Sequence, residues 1–234
     1  MTRFVLLMLI SLDVAGAERP PFHHEPMGVD NGCFVESVLL YDEFHQTFGG
    51  DAWARVLQWG AKEDEEIVAG HAVAVFELKD LLWAYDINFG FSRLGLNAAQ
   101  RDDPEYVASL LVIKYPRVSP RYPLYRFDFP QTAPENLPQS LFAHEDRNYR
   151  AASLVASKLA AHRPVTIFEF SYVQDGVAKK SAACAFIFNG KLCVYFPEKG
   201  TYPFITQIKS VNNFKLLRAC AQRVYPGASA LMRL

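Results

Sequence analysis

The stretch Gly70–Gly90, GHAVAVFELKDLLWAYDINFG, decides the fold class, because it holds two apolar runs with only Lys79-Asp80 between them to turn the chain. Short apolar runs around a two-residue polar break read as an antiparallel hairpin. With Lys79 and Asp80 as the turn, Leu78 faces Leu81, Phe76 faces Trp83 and Val73 faces Asp86. Side chains alternate between the faces of a strand, so His71, at the head of the first run, shares a face with Val73 and is the diagonal neighbour of Asp86. Diagonal Cα atoms lie about 7–8 Å apart, within reach of an imidazole and a carboxylate leaning toward each other. A slip of one residue in the pairing would split the two onto opposite faces. The register therefore carries the site.

Upstream, VDNGCFVESVLLYDEF sets Cys33 just inside the first turn of a helix expected from Cys33 to about Thr47. Asp30 or Asn31 can cap it, and Phe34, Val38, Tyr41 and His45 recur on one side. A thiol ionises most easily at a helix N-terminus, where unpaired backbone N–H groups and the helix dipole favour the thiolate. His71 beside it would complete an ion pair, and Asp86 would hold the other ring nitrogen and fix the tautomer. Gly32 lets a substrate carbonyl approach the backbone closely. The Cys33 amide is a natural oxyanion donor, and Asn31 is the candidate for the second. Taken singly, Cys33 reads as a small buried apolar residue, His71 as a core histidine and Asp86 as a strand-end turn former. Their order and spacing together point to a Cys-His-Asp triad.

HAVAVFELKDLLWAYD resembles the His-to-Asp strand pair of the transglutaminase-like branch of the papain-like cysteine enzymes, with a His-Ala start, an aromatic near Trp83 and an Asp fifteen residues after the His. NGCFVESVLL resembles that family's Cys at the start of its central helix. The resemblance covers roughly Asp30 to Gly90. It implies an α+β fold with a papain-like, transglutaminase-like core, in which a central helix packs on an antiparallel sheet. By motif position it gives Cys33 as nucleophile, His71 as base and Asp86 as orienting residue. Two positions depart from the pattern: no Trp follows Cys33, and Ile87-Asn88 stands where Pro-Thr is common.

The remaining sequence sets the frame. Half of the 234 residues are hydrophobic, enough for one large core or two smaller ones. Lys plus Arg (24) nearly balances Asp plus Glu (25), so no strong field would gather phosphate backbones, and nucleic acid is not an expected partner. Residues 1–17 read as a signal peptide: Arg3, a short apolar run from Phe4 to Leu12, then the small residues Ala15-Gly16-Ala17. The run is too short for stable membrane insertion, and no Cys sits near the cut to carry a lipid. The expected mature chain begins near Glu18 and is exported, to the periplasm or beyond. Four cysteines in a chain this long make no disulfide scaffold, and their spacing fits neither a zinc knuckle nor a Cys-x-x-Cys redox motif. Of Cys184, Cys193 and Cys220, at least one is expected to be buried and inert. No metal or cofactor is expected.

Smaller features follow. AWARVLQW reads as a short helix or a first strand, KEDEE as a solvated loop, and His23-His24 as part of a solvated N-terminal segment rather than a metal site. Glu36, one turn beyond Cys33, closes the helix start or faces water. DDPEYVASLLVIKY reads as a helix capped by Asp103. The proline-rich stretch from Pro116 to Pro138 reads as a linker between a catalytic domain over residues 18–130 and an accessory α+β half over 139–234. In that half, YRAASLVASKLAAH is helical, and RPVTIFEFSYV, SAACAFIFN and KLCVYFPEKG are strands, the last two joined at Asn189-Gly190. A shift of 110 lays FNGKLCVYFPEKG on LKDLLWAYDINFG, with Tyr195 on Tyr85 and Gly200 on Gly90. The second half thus reads as a possible degenerate copy, chemically silent because Ser181 takes the His71 place and Phe196 the Asp86 place. The expected activity is thiol-dependent acyl transfer on a peptide or glutamine-type amide of a peptide or protein substrate. Hydrolysis is favoured over transfer to an amine, and the alternative is a catalytically silent binding or scaffolding module. The sequence sets no oligomeric state.

Overall fold

The computed structural model describes residues 20, 24–63, 66–88, 90–95, 98–103, 106–107, 125–127, 145–207 and 210–233. The expected signal peptide and most of the proline-rich stretch lie outside the described residues. In chain order the elements are α1 (Cys33–Phe48), β1 (Ala54–Glu63), β2 (Glu66–Leu78), β3 (Leu81–Asp86), β4 (Gly90–Gly95), a 3-10 turn (Ala98–Gln100) and β5 (Tyr125–Phe127). The second half follows with α2 (Glu145–Leu159), β6 (Val165–Gln174), β7 (Val177–Phe188), β8 (Lys191–Phe196), β9 (Gly200–Gln207), α3 (Phe214–Val224) and β10 (Ser229–Arg233). The strands form two antiparallel five-stranded sheets, ordered β4-β3-β2-β1-β5 and β10-β6-β7-β8-β9. The class is α+β.

Helices α1 and α2 lie between the two sheets. Leu40 and Phe44 of α1 pack on Ala54, Ala74, Phe76, Trp83 and Tyr85 of the first sheet. Phe34, Val35, Val38 and Leu39, on its other sides, share a cluster with Ala152, Val155 and Leu159 of α2 and with Cys184, Phe186 and Tyr195 of the second sheet. The outer face of the second sheet is covered by α3, through Leu217, Cys220 and Ala221 against Phe168, Phe170, Leu192 and Phe196. On the outer face of the first, Val73, Val75, Leu82 and Ala84 pack with Leu94 and Val107. Central strands covered on both faces need no polar alternation, which is why HAVAVF and SAACAFIF run apolar throughout.

The hairpin register is the expected one: Leu78↔Leu81, Phe76↔Trp83 and Ala74↔Tyr85. Lys79 and Asp80 both have positive φ (53° and 61°), the conformation that lets a two-residue turn match strand twist. The same shift of 110 turns these pairs into Phe188↔Lys191, Phe186↔Cys193 and Cys184↔Tyr195, which are the pairs of the β7–β8 ladder. It also turns Asp86↔Gly90 into Phe196↔Gly200. The turn residues Asn189 and Gly190 again have positive φ (47° and 72°).

Several local expectations need correction. Of the two readings of AWARVLQW the strand holds from Ala54 on, while the acidic loop does not, because Lys62 and Glu63 continue β1; residues 64 and 65 lie outside the described residues. His71 is not at a strand head, because β2 starts at Glu66 and pairs with β1 from Glu63↔Glu66 onward. Part of the linker is a strand: Tyr125–Phe127 pairs with Gly60–Gln58 and closes the edge of the first sheet. KLCVYFPEKG is not one strand, since Pro197, Glu198 and Lys199 turn the chain into β9. β4, β9, α3 and β10 have no counterpart among the elements expected from sequence. Asp103 does cap, its carboxylate accepting from the Tyr106 amide at 3.2 Å and its carbonyl from Val107 at 3.1 Å; the rest of that helix lies outside the described residues.

Candidate functional site

Cys33 is the first residue of α1, with Gly32 at the N-cap and no side-chain cap, so the amides of the first turn are left for other partners. The sulfur is half-buried. His71 donates from Nε2 to Asp86 Oδ2 at 2.5 Å, and the Asp86 carboxylate, itself 2 % exposed, also accepts from the Asn88 amide at 2.7 Å on Oδ1. The imidazole is also hydrogen-bonded to the Cys33 thiol. With Nε2 on Asp86, Nδ1 is the nitrogen left for the sulfur. The three residues expected from sequence are thus brought into one chain of contacts, Cys33 to His71 to Asp86.

Burial works against a charged imidazole here, but hydrogen bonds and charge from Asp86 and Cys33 outweigh it and raise the His71 pKa from its ordinary 6.5 to about 9. At neutral pH this ring is an imidazolium held between the Cys33 sulfur and the Asp86 carboxylate.

The way the ring reaches the sulfur is set by the end of the ladder. Ala72 and Ala74 face α1, whereas Val73 and Val75 face the outer cluster, so alternation puts His71 on the outer side. The paired β2–β3 ladder stops at Ala74↔Tyr85, before His71 and Asp86. The contact with the Cys33 sulfur is made from a residue beyond the last β2–β3 pair. The second half repeats the path with other chemistry. Asn148, in the first turn of α2, donates to Ser181 Oγ at 3.0 Å and to Glu198 Oε1 at 2.8 Å. Tyr172 and Tyr225 donate to Glu198 Oε2 at 3.4 and 3.3 Å. That network is buried and holds no thiol.

The two residues expected to serve the oxyanion are placed for other work. The Asn31 side-chain amide donates to the Pro197 carbonyl at 2.9 Å, and its backbone is left-handed at φ 53°. Gly32 has an ordinary φ of −83°, but a Cβ there would meet Val29 Cγ2 at 2.6 Å and its carbonyl at 3.0 Å. Glycine at this position is required by the packing of Val29.

The expectation that His24 is solvated is wrong. It is 8 % exposed, donates to Glu36 Oε2 and Glu43 Oε2 at 2.9 Å each, and packs edge-on to Tyr85 with ring centroids 4.9 Å apart. Glu36 also accepts the Met27 amide at 2.5 Å and is fully buried. Despite burial, which lowers it, the two carboxylates raise the His24 pKa to about 9. An ion-paired strap thus lies under the helix that carries Cys33. A histidine followed at a distance by two helix glutamates at i and i+7, Glu36 and Glu43, was the available signal.

All four cysteines are free, and Cys184, Cys193 and Cys220 are all buried; burial pushes the Cys184 and Cys220 thiols up to about 12 and raises Cys193 as well. Cys33 alone among them is accessible. Among the described residues no cluster of His, Cys, Asp and Glu could hold a metal ion, and no helix is long and apolar enough to cross a membrane. No protein-family model, curated protein or solved structure matches the chain.

Proposed function

We propose that the protein is a thiol acyl-transfer enzyme with a papain-like core of transglutaminase type, acting on a peptide or glutamine-type amide and transferring the acyl group to water. The observation that carries this is the His71 ring bonded to Asp86 on one nitrogen and to the Cys33 thiol at the helix mouth on its other side. Paired as a thiolate with the His71 imidazolium, Cys33 attacks the carbonyl carbon, the first-turn amides receive the oxyanion, and His71 Nδ1–H protonates the departing amine as the C–N bond breaks. Neutral His71 then takes a proton from water, the hydroxide attacks the thioester, and the acid leaves with Cys33 restored. Asp86 holds the imidazolium and stays ionised throughout. The shared register of the two hairpins supports reading the second half as a degenerate copy that lost the nucleophile. An exported, periplasmic or secreted setting is part of the same proposal and rests on the composition of residues 1–17.

The test is the pH profile of iodoacetamide alkylation at Cys33 in the wild type and in His71→Ala. The wild type should react well below the pH, about 8.5, at which an ordinary thiol ionises, and His71→Ala should lose that advantage. Coincident profiles would leave a silent binding module as the better description.

A further inference from the structure

The turn that delivers Cys33 to His71 is not held by its own half of the chain. Asp30, Asn31 and Gly32 lead into α1, and the helix begins at the Gly32 carbonyl, which accepts the Glu36 amide at 2.9 Å. The Asp30 carbonyl accepts from the Tyr195 hydroxyl at 2.7 Å, and Asn31 donates to the Pro197 carbonyl at 2.9 Å. Both anchors belong to β8 and the turn after it, 165 and 166 residues away. Tyr195 is fully buried, so its hydroxyl has one fixed place. Its counterpart under the shift of 110, Tyr85, is as deeply placed, and its hydroxyl has no hydrogen-bond partner among the described residues. The same residue at the same point of two matching hairpins thus ties a remote turn in one half and has no such bond among the described residues in the other.

We propose that the C-terminal half positions the nucleophile, the Tyr195 hydroxyl and the Pro197 carbonyl fixing the Asp30-Asn31 turn so that Cys33 meets His71. The inference rests on the thiol-nucleophile reading and makes the second half a working part of the site. Asn31 in a left-handed conformation gives the turn a sharp corner, and a corner with its incoming carbonyl and its side chain both tied has little room to rotate. Releasing it swings the first residue of α1, which is the sulfur-bearing one. Displacement of reacting groups by an ångström can cost up to about a hundredfold in rate.

The experiment uses the full chain with iodoacetamide as probe, reading both the pH profile of Cys33 alkylation and the melting temperature. Tyr195→Phe keeps the ring and removes only the donor; alkylation at pH 7 should fall by about tenfold, with the profile moving toward that of an ordinary thiol. Asn31→Gly keeps the left-handed backbone and removes the second tie, and should move the profile the same way by less. Tyr85→Phe should leave the profile where it is. A lowered melting temperature with an unmoved profile in Tyr195→Phe would make the hydroxyl merely structural and overturn the proposal. Should Tyr195→Phe not fold, an unmoved profile in Asn31→Gly does so. The His71→Ala arm separates the two layers: if it matches the wild type, the triad reading falls, and if it shifts while Tyr195→Phe and Asn31→Gly do not, only the positioning role falls.

Discussion

Replacing His24 by Gln isolates the buried ion cluster under α1 and gives a pH-dependent signature. In the folded protein His24 is raised from 6.5 to about 9 against its burial, by Glu36 and Glu43. A histidine with a raised folded pKa adds stability that is complete below the unfolded value and disappears as pH climbs through the folded one. The window therefore runs from about pH 6.5 to somewhat above 9. At about 1.4 kcal/mol per unit, the gap corresponds to roughly 3 kcal/mol at most. Urea unfolding of the wild type and His24→Gln, from pH 6 to pH 10, checks it. His71 and the lysines and tyrosines titrate in both proteins and cancel in the difference. Gln can still donate to one carboxylate, but its contribution does not vary with pH. The difference should be greatest near pH 6 and shrink by about 3 kcal/mol toward pH 10. A difference that stays flat would mean that His24 is neutral between its two carboxylates, and the strap would be held by hydrogen bonds alone.

Native labelling with iodoacetamide should mark one cysteine per chain, Cys33, and denatured labelling all four; a second native label seen by mass spectrometry would contradict the burial of Cys184, Cys193 and Cys220. Asp86→Asn removes the largest support of the His71 charge, so the onset of Cys33 alkylation should move up in pH toward that of an ordinary thiol, about 8.5, and an unmoved onset would make Asp86 dispensable. Gly32→Ala drives a methyl into Val29 and should cost about 1–3 kcal/mol in urea unfolding, with Val29→Ala in the same chain recovering much of it; no recovery would locate the clash elsewhere. Arg163 donates to the Asp42 carboxylate through Nε (3.0 Å) and Nη2 and to the Ile187 carbonyl at 2.7 Å, joining α1 to the second sheet. Arg163→Met should destabilise by about 3 kcal/mol, and an unchanged urea midpoint would make the pair dispensable.

The residues legible from sequence were those with local logic. A two-residue break between apolar runs gave the register, and register alone put His71 and Asp86 side by side. Cys33 was legible because a helix start is written in the few residues around it. What escaped was non-local. Tyr195 and Pro197 meet the Cys33 turn from the far half of the chain, and nothing near residue 30 announces them. KEDEE looked like loop because a run of charges is the usual signal of one, yet Lys62-Glu63 and Glu66 are paired strand ends. Tyr125–Phe127 was lost among prolines, because an edge strand of three residues leaves no period to read. His24 was misread because a histidine beside a proline-rich lead-in looks solvated until the two glutamates that hold it are placed.

The first half of helix α1 shows solvent almost no side: Val35, Glu36, Ser37, Val38 and Leu40 are all within 1 % of complete burial. A chain made from its N-terminus has this segment long before residues 165–196, which wall off half of it, so a ribosome-tethered fragment holds the thiol on a helix that cannot yet be finished. Assembly of the reactive centre is then a late, whole-chain event with high contact order. On the proposed role of Tyr195 and Pro197, the sulfur stays unarmed until residues 195–197 have been made and docked on the Asp30 turn.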